Sequence, residues 1–319
     1  MKYLFFDIEC SNSFNKKPKM CEFGYVLTDS NFKVIRKDDI PMSPGRRCGD
    51  NKFDKAIHKR EPGFDWAYDS DYYFACPEFP TFYGTIRKLL EMEDTILFGF
   101  AVDNDIRFLD FAIKRYNLDA LRYVVYDIQT MVSHFSQMKG LTNLETTFKS
   151  FCPIDEFIRL QPHLSRDDAY MSMRILEELS KRNGLTPFEI VQSDKRFCYD
   201  SEEYLTNYYK EIEEKQERAF CRLECERLCH EFYKECSSLG VDIENPRKIV
   251  RMSGVIKTNL SLLKETIDAI KEKGFISTKR RDEYDYFVTA NKEDLQKVRE
   301  TSRLCPRAII LTLEDFKKL

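Results

Sequence analysis

Residues 1–190 alternate short apolar runs with amphipathic stretches, and this alternation restricts the fold more than any other feature of the chain. Lys2–Phe6 reads as an apolar strand, and Phe23–Leu27 with Phe32–Ile35 reads as a hairpin around Asp29-Ser30-Asn31. Ile96–Ala101 and Tyr123–Asp127 read as further buried strands. Between them, Phe79, Phe82, Ile86, Leu89 and Leu90 fall on one helical stripe, and Asp105–Tyr116, Ile128–Met138, Thr142–Phe151 and Arg166–Arg182 carry helical patterns. The polar stretch Pro41–Pro77, with Gly45, Gly49 and Gly63, interrupts the order. Such a chain packs helices on a sheet of mixed strands, an α/β architecture.

A charged stretch without Gly or Pro, Ser201–Ser238, then reads as one long helix or two, supported by pairs such as Glu211 with Lys215. From Val241 the pattern changes to a small α/β unit. Its elements are strand Ile249–Val255, helix Ser261–Lys273, strands Phe275–Thr278 and Tyr286–Thr289, helix Lys292–Arg303, strand Ala308–Thr312 and a final helix from Leu313. The length of 319 residues fits two domains. The expected boundaries are a first domain at 1–190, a helical connector at 191–239 and a second domain at 240–319.

Composition removes several classes. A hydrophobic share of 42% is enough to build cores and argues against a disordered chain. A formal net charge of −3 excludes a protein that grips nucleic acid through bulk positive charge, while leaving room for a local basic groove. The 11 cysteines are odd in number and scattered, which reads as reduced thiols. With no signal-peptide pattern at Met1–Phe6 and no apolar run of membrane-spanning length, the expected location is cytoplasmic, without a membrane partner. Cys221, Cys225 and Cys229 invite a metal reading, but on a helix an i to i+8 step rises about 12 Å, too far for three sulfurs to share one zinc, which leaves a pair completed by another segment or helix packing. His58 and His134 lack a ligand constellation, and Trp66 lies in an aromatic, acidic stretch that reads as a lid or a packed loop.

The sequence Phe5-Phe6-Asp7-Ile8-Glu9 ends an apolar strand in two carboxylates spaced i, i+2, which point to one face. Carboxylates so placed repel unless a cation lies between them, and oxygen ligands suit Mg²⁺ or Mn²⁺. Taken alone, the pair also fits ordinary acids at a fraying strand end. Two later segments add to it. Gly99 through Asp105 follows a buried strand and opens a helix at acidic residues, and His163-Leu164-Ser165-Arg166-Asp167-Asp168 sets a loop histidine before a helix whose first turn holds aspartates.

Together the three segments resemble the DEDDh branch of the 3′-to-5′ exonuclease superfamily, which includes the DNA polymerase III epsilon subunit and RNase T. The resemblance covers roughly residues 1–185 and implies a ribonuclease H-like exonuclease fold with a mixed five-stranded sheet flanked by helices. It also implies site roles. Asp7, Glu9 and Asp168 would hold one of two divalent cations, Mg²⁺ or Mn²⁺. Asp7 would bridge to the second, Asp105 would support that second site, and His163 would take the proton from the attacking water. Asp103 competes with Asp105, but the register from Gly99 and the following Ile106-Arg107-Phe108-Leu109 favour Asp105. Asp167 competes with Asp168, and the five-residue step from His163 selects Asp168. Where the family usually has His-Asn after the glycine, this chain has Phe100-Ala101. Ile8 and Cys10 would lie beside the terminal nucleotide, with Phe100 either a stacking residue or part of the core.

The element order from Ile249 to Leu319 is similar to that of a BRCT domain. The residues carrying this likeness are Ser253-Gly254-Val255, Gly274-Phe275, Tyr286 through Ala290, and Ile309 through Thr312 leading to Phe316. It implies a docking module for DNA ends or protein partners in repair or replication. Arg247-Lys248 with Arg251 and Lys279-Arg280-Arg281 would meet phosphates or form a solvated face. A phosphopeptide site would need Ser253 or Thr258 near a helix-borne lysine such as Lys292 or Lys297. The expected activity is metal-dependent 3′-to-5′ hydrolysis at nucleic acid 3′ ends, releasing nucleoside 5′-monophosphates, with DNA favoured over RNA. The competing readings are an RNA 3′-end trimming enzyme and a catalytically weak end-binding scaffold that recruits partners through the second domain.

Overall fold

The computed structural model describes residues 1–14, 17–45, 67–68, 70–136, 140, 142–239, 246–277, 284–301 and 304–319. His58, Trp66 and Lys279-Arg280-Arg281 lie outside these residues. The chain divides into two units, Met1–Tyr208 and Tyr209–Leu319.

In the first unit, strand β1 (Lys2–Phe14) pairs antiparallel with β2 (Lys17–Asp29), which turns into β3 (Val34–Pro41). The Asp29 carboxylate closes that turn by accepting from the N–H groups of Asn31 and Lys33, each at 2.9 Å. There follow α1 (Ser70–Ala75), α2 (Phe79–Leu90), β4 (Thr95–Gly99), α3 (Asp103–Arg115), β5 (Val124–Asp127), α4 (Ile128–Phe135), α5 (Leu144–Phe151), α6 (Ile154–Phe157), α7 (Ser165–Asn183) and α8 (Pro187–Ser193). A 3-10 turn (Lys195–Phe197) leads into β6 (Cys198–Asp200) and α9 (Ser201–Ser238).

The sheet order is β3-β2-β1-β4-β5-β6, with β1, β4 and β5 mutually parallel and the other strands antiparallel to their neighbours. The expected five-stranded sheet is therefore six-stranded. β6 escapes sequence reading because three residues are too short to display a period. Leu4, Phe6 and Ile8 enter the core beneath α2 and α3, and Tyr3 and Phe5 enter the core beneath α4, α5 and α7. This alternation assigns Asp7 and Glu9 to the Phe5 side, facing α7.

β1 is longer than the expected Lys2–Phe6, and Asp7 and Glu9 lie inside it rather than at its end. The parallel pairing with β4 nevertheless stops at Phe5 with Phe98, so the acids sit where β1 has outrun that neighbour. Opposite Glu9 and Cys10 the register skips Cys21, the extra residue of a bulge in β2 that increases the local twist at this point.

The second unit contains most of α9 and then β7 (Ile249–Met252), α10 (Gly254–Thr258), α11 (Leu260–Glu272), β8 (Ile276–Ser277), β9 (Tyr286–Thr289), α12 (Lys292–Thr301), β10 (Ile309–Thr312) and α13 (Leu313–Lys317). Its sheet is parallel throughout, in the order β10-β9-β7-β8. Phe316 is fully buried against Phe275 and Tyr286.

The stretch 191–239 is not a separate connector. Cys198–Asp200 belongs to the first sheet, whereas Cys225, Phe232, Tyr233 and Cys236 pack in the core of the second unit. The expected pair Glu211 and Lys215 forms, at 3.3 Å, on the single helix α9. Among the described residues, no helix is long and apolar enough to cross a membrane.

Ser253-Gly254-Val255 does not end a strand. Ser253 caps α10, accepting from Ile256 N–H at 3.3 Å, and its hydroxyl donates to the buried Asp294 carboxylate at 2.6 Å. A carboxylate in that place repels phosphate. The Thr258 hydroxyl donates to carbonyls of its own helix. Neither hydroxyl is set up to receive a phosphopeptide.

Candidate active site

The site forms where β1 has outrun β4. Beyond Phe5 the β1 backbone has no parallel partner, and the Ile8 N–H donates to the Asp105 carboxylate. Asp105 stands in the first turn of α3 and is 4% exposed. Asp103, its rival in the sequence, points away and pairs with Arg107 at 3.0 Å. The geometry thus separates the two aspartates.

α7 brings the other half. Its first turn lies directly on β2 at Gly24, where an added Cβ would stand 2.1 Å from Ser165 C and Arg166 N. Gly24 is the register partner of Asp7, so the close approach it permits sets the α7 N-terminus beside the acids of β1. Asp168 is buried there, accepting from His163 N–H at 3.3 Å. Asp167 faces elsewhere, pairing with Lys37 at 2.6 Å and accepting from Gln161 N–H at 2.9 Å. His163 holds a left-handed backbone, φ 65°, an uncommon conformation for a residue with a side chain. Its Nδ1 lies 3.5 Å from Glu9 Oε1.

Ligand atoms of Glu9, His163 and Asp168 all fall within 4.8 Å of one another. Asp7 and Asp105 adjoin them closely enough for charge repulsion. The Asp7 carboxyl is held well above the usual carboxylate range by burial and then by the charges of Asp168, Asp105 and Glu9. Asp105 is raised by burial and by Glu9, and Asp168 is pushed up to about 8 by burial and by Glu9. His163 is raised by its hydrogen bond to Glu9.

Like charges packed this way need a cation. Asp168 Oδ1 is buried and accepts no hydrogen bond among the described residues, a cost that a bound ion removes. Carboxylate oxygens suit Mg²⁺ or Mn²⁺, so the four acids fit the divalent cations that the motifs imply and leave His163 for proton transfer.

The three residues expected beside a nucleotide fare differently. Ile8 is 5% and Phe100 is 8% exposed, each within a hydrophobic core, so both are packing residues in this structure. Cys10 keeps partial exposure.

Sequence reading overlooked Glu22. It is fully buried, pairs in register with Glu9 and has its carboxyl pushed up to about 7 by burial. The signal was present as a glutamate inside the apolar run Met20–Leu27. Such runs read as strands buried on both faces, where an acid needs a reason. Asp127 was also missed as a site neighbour. It caps α4 and accepts from Ala101 N–H at 2.8 Å, fixing the loop before α3.

No family model matches the chain. No curated protein matches it either. Solved structures do. A 3′-exonuclease described for 3′-end-specific recognition of histone mRNA stem-loop is similar over 58% of this chain and 83% of its own, at 14% identity and a TM-score of 0.45. E. coli exonuclease I in complex with a dA16 oligonucleotide is similar over 57% of this chain and 41% of its own, at 15% identity and a TM-score of 0.44. The zinc-bound form of the E. coli enzyme with single-stranded DNA gives the same coverage and identity at a TM-score of 0.42.

Proposed function

We propose that this chain is a metal-dependent 3′-to-5′ exonuclease. It hydrolyses the terminal phosphodiester bond of nucleic acid, DNA in preference to RNA, and releases nucleoside 5′-monophosphates. The observation that carries this reading is the convergence of Glu9, His163 and Asp168 within 4.8 Å, with Asp7 and Asp105 adjoining and one buried oxygen of Asp168 without a hydrogen bond among the described residues.

Two divalent cations held by Asp7, Glu9 and Asp168, with Asp105 in support, would supply positive charge to the phosphate oxygens during displacement. The protein's own groups do the rest. His163 takes the proton of the attacking water and is oriented by Glu9 at its ring and by Asp168 at its backbone N–H. Asp168 and Asp7 are held by rigid elements, α7 and β1, so the donors stay in place as the substrate enters.

The preference for DNA rests on the likeness of the second unit to a BRCT docking module, which would bring the nuclease to DNA ends or to repair and replication partners. The test is nucleotide release from labelled single- and double-stranded DNA and RNA with Mg²⁺ or Mn²⁺, wild type beside Asp7→Ala. Release of 5′-monophosphates that Asp7→Ala abolishes supports the reading. Rapid RNA trimming with inertness on DNA moves the substrate to RNA, and inertness on every substrate leaves an end-binding scaffold.

A further inference from the structure

α7 carries Asp168, yet it cannot cap itself. Its N-cap residue is Leu164, which offers no side-chain acceptor. The amides of Asp167 and Asp168 turn back to Leu164 O, but Ser165 N–H has no acceptor within the helix. Glu22, on β2, supplies one from a different element. Its Oε1 accepts from Ser165 N–H at 2.8 Å and from the Ser165 hydroxyl at 2.5 Å, and its Oε2 accepts from Tyr73 O–H at 2.7 Å. A fully buried carboxylate thus receives three donors and faces the positive end of the helix dipole.

The placement ties this cap to the site. Glu22 is the register partner of Glu9, and Gly24, two residues on, is the partner of Asp7. Ser165 sits two residues after His163 and one helical turn before Asp168, so the bond that fixes Ser165 fixes both. Without Glu22 the α7 N-terminus could slide on the smooth seat at Gly24, and Asp168 would drift from Glu9.

We propose that Glu22 is the positioning residue of the site. It sets the register of α7 on β2 and thereby the distance from Asp168 and His163 to Glu9. The inference rests on the exonuclease reading for its kinetic consequence and on metal affinity for its independent check. Glu22 touches neither substrate nor cation in this role.

The test uses the full chain with Mn²⁺, measuring ion affinity by calorimetry and hydrolysis of a labelled oligonucleotide. Glu22→Ala should weaken Mn²⁺ binding and lower kcat by about 10- to 100-fold each, with KM little changed. Glu22→Gln keeps an acceptor for Ser165 and a polar group toward Tyr73, and should recover most of both. Ser165→Ala, which removes only the hydroxyl bond, should fall between them. Circular dichroism and hydrogen exchange identify the folded fraction on which these values are read. If folded Glu22→Ala keeps wild-type Mn²⁺ affinity and kcat, or if Glu22→Gln is as impaired as Glu22→Ala, the proposal is overturned. If the wild type releases no nucleotide, the exonuclease reading fails, and the Mn²⁺ affinities alone still decide the role of Glu22.

Discussion

Asp294 in the second unit and the acids of the candidate site in the first are buried in opposite ways. In the second, Asp294 is matched to its donors, accepting from the Ser253 hydroxyl at 2.6 Å and from Ala290 N–H at 2.8 Å. At the site, Asp168, Asp105 and Glu9 raise the buried Asp7 carboxyl, Glu9 raises Asp105 and Asp168, and Asp168 Oδ1 accepts no hydrogen bond among the described residues. A buried acid with its donors in place holds a fold together. Buried acids set against each other cost stability, and a chain that retains them points to a ligand of opposite charge.

Substitutions sharpen this contrast because they should differ in sign. The largest effect is expected at Gly24, since a Cβ there would meet the α7 backbone at 2.1 Å. Gly24→Ala should destabilise the first unit by about 3 kcal/mol or more, read from denaturant unfolding, and should abolish Mn²⁺ binding with it. Wild-type stability in that variant would mean that α7 does not bear on β2. Next, Asp294→Ala strands the buried Ser253 hydroxyl and the half-buried Ala290 amide in the second unit and should cost about 1–3 kcal/mol, leaving hydrolysis unchanged.

Asp168→Asn should act in the other direction. Removing one of the converging charges should raise the metal-free stability of the first unit by about 1–2 kcal/mol while eliminating hydrolysis. If Asp168→Asn and Asp294→Ala shift stability in the same direction, the distinction between the two units fails.

The smallest expected effect is a pH dependence. Asp168 is pushed up to about 8 and Glu22 up to about 7, above the ordinary carboxylate values of about 4 that hold in the unfolded chain. Groups raised on folding contribute stability that is complete below the unfolded pKa and is lost as pH rises through the folded one. The metal-free protein should therefore lose stability between about pH 4 and pH 8 from these groups. The increase in Tm on adding Mn²⁺ should grow by a few degrees from pH 5 to pH 8, followed by scanning calorimetry. A stabilisation independent of pH would separate Mn²⁺ binding from these carboxylates.

Much of the fold was legible because its signals are periodic. The hairpin of β2 and β3, the stripe of α2 and the charged run of α9 each span enough residues to display their repeat. What escaped was short or shared. β6 has three residues, and Ser253-Gly254-Val255 continues an apolar run although Ser253 is a helix cap. Ile8 was set beside a nucleotide through the family likeness, whereas alternation along β1 already placed it on the side away from Asp7 and Glu9, and of the two readings open for Phe100 the burial agrees with the core.

The site divides along the same line. The two-residue spacing of Asp7 and Glu9 fixes by itself that they share one face of a strand, since side chains in an extended chain alternate. That Asp105 rather than Asp103, and Asp168 rather than Asp167, joins them was only ranked by the sequence. The choice lies in helix packing, through the Ile8 N–H to Asp105 and the capture of Asp103 and Asp167 by Arg107 and Lys37. An acid in the apolar run Met20–Leu27 marks Glu22 as unusual, but what it pairs with belongs to the tertiary structure. Its partner Ser165 is 143 residues away, and no local pattern records a hydrogen bond that exists only once α7 has been seated on β2. Local spacing sets the direction of a side chain, but the meeting of two side chains depends on the packing of whole elements.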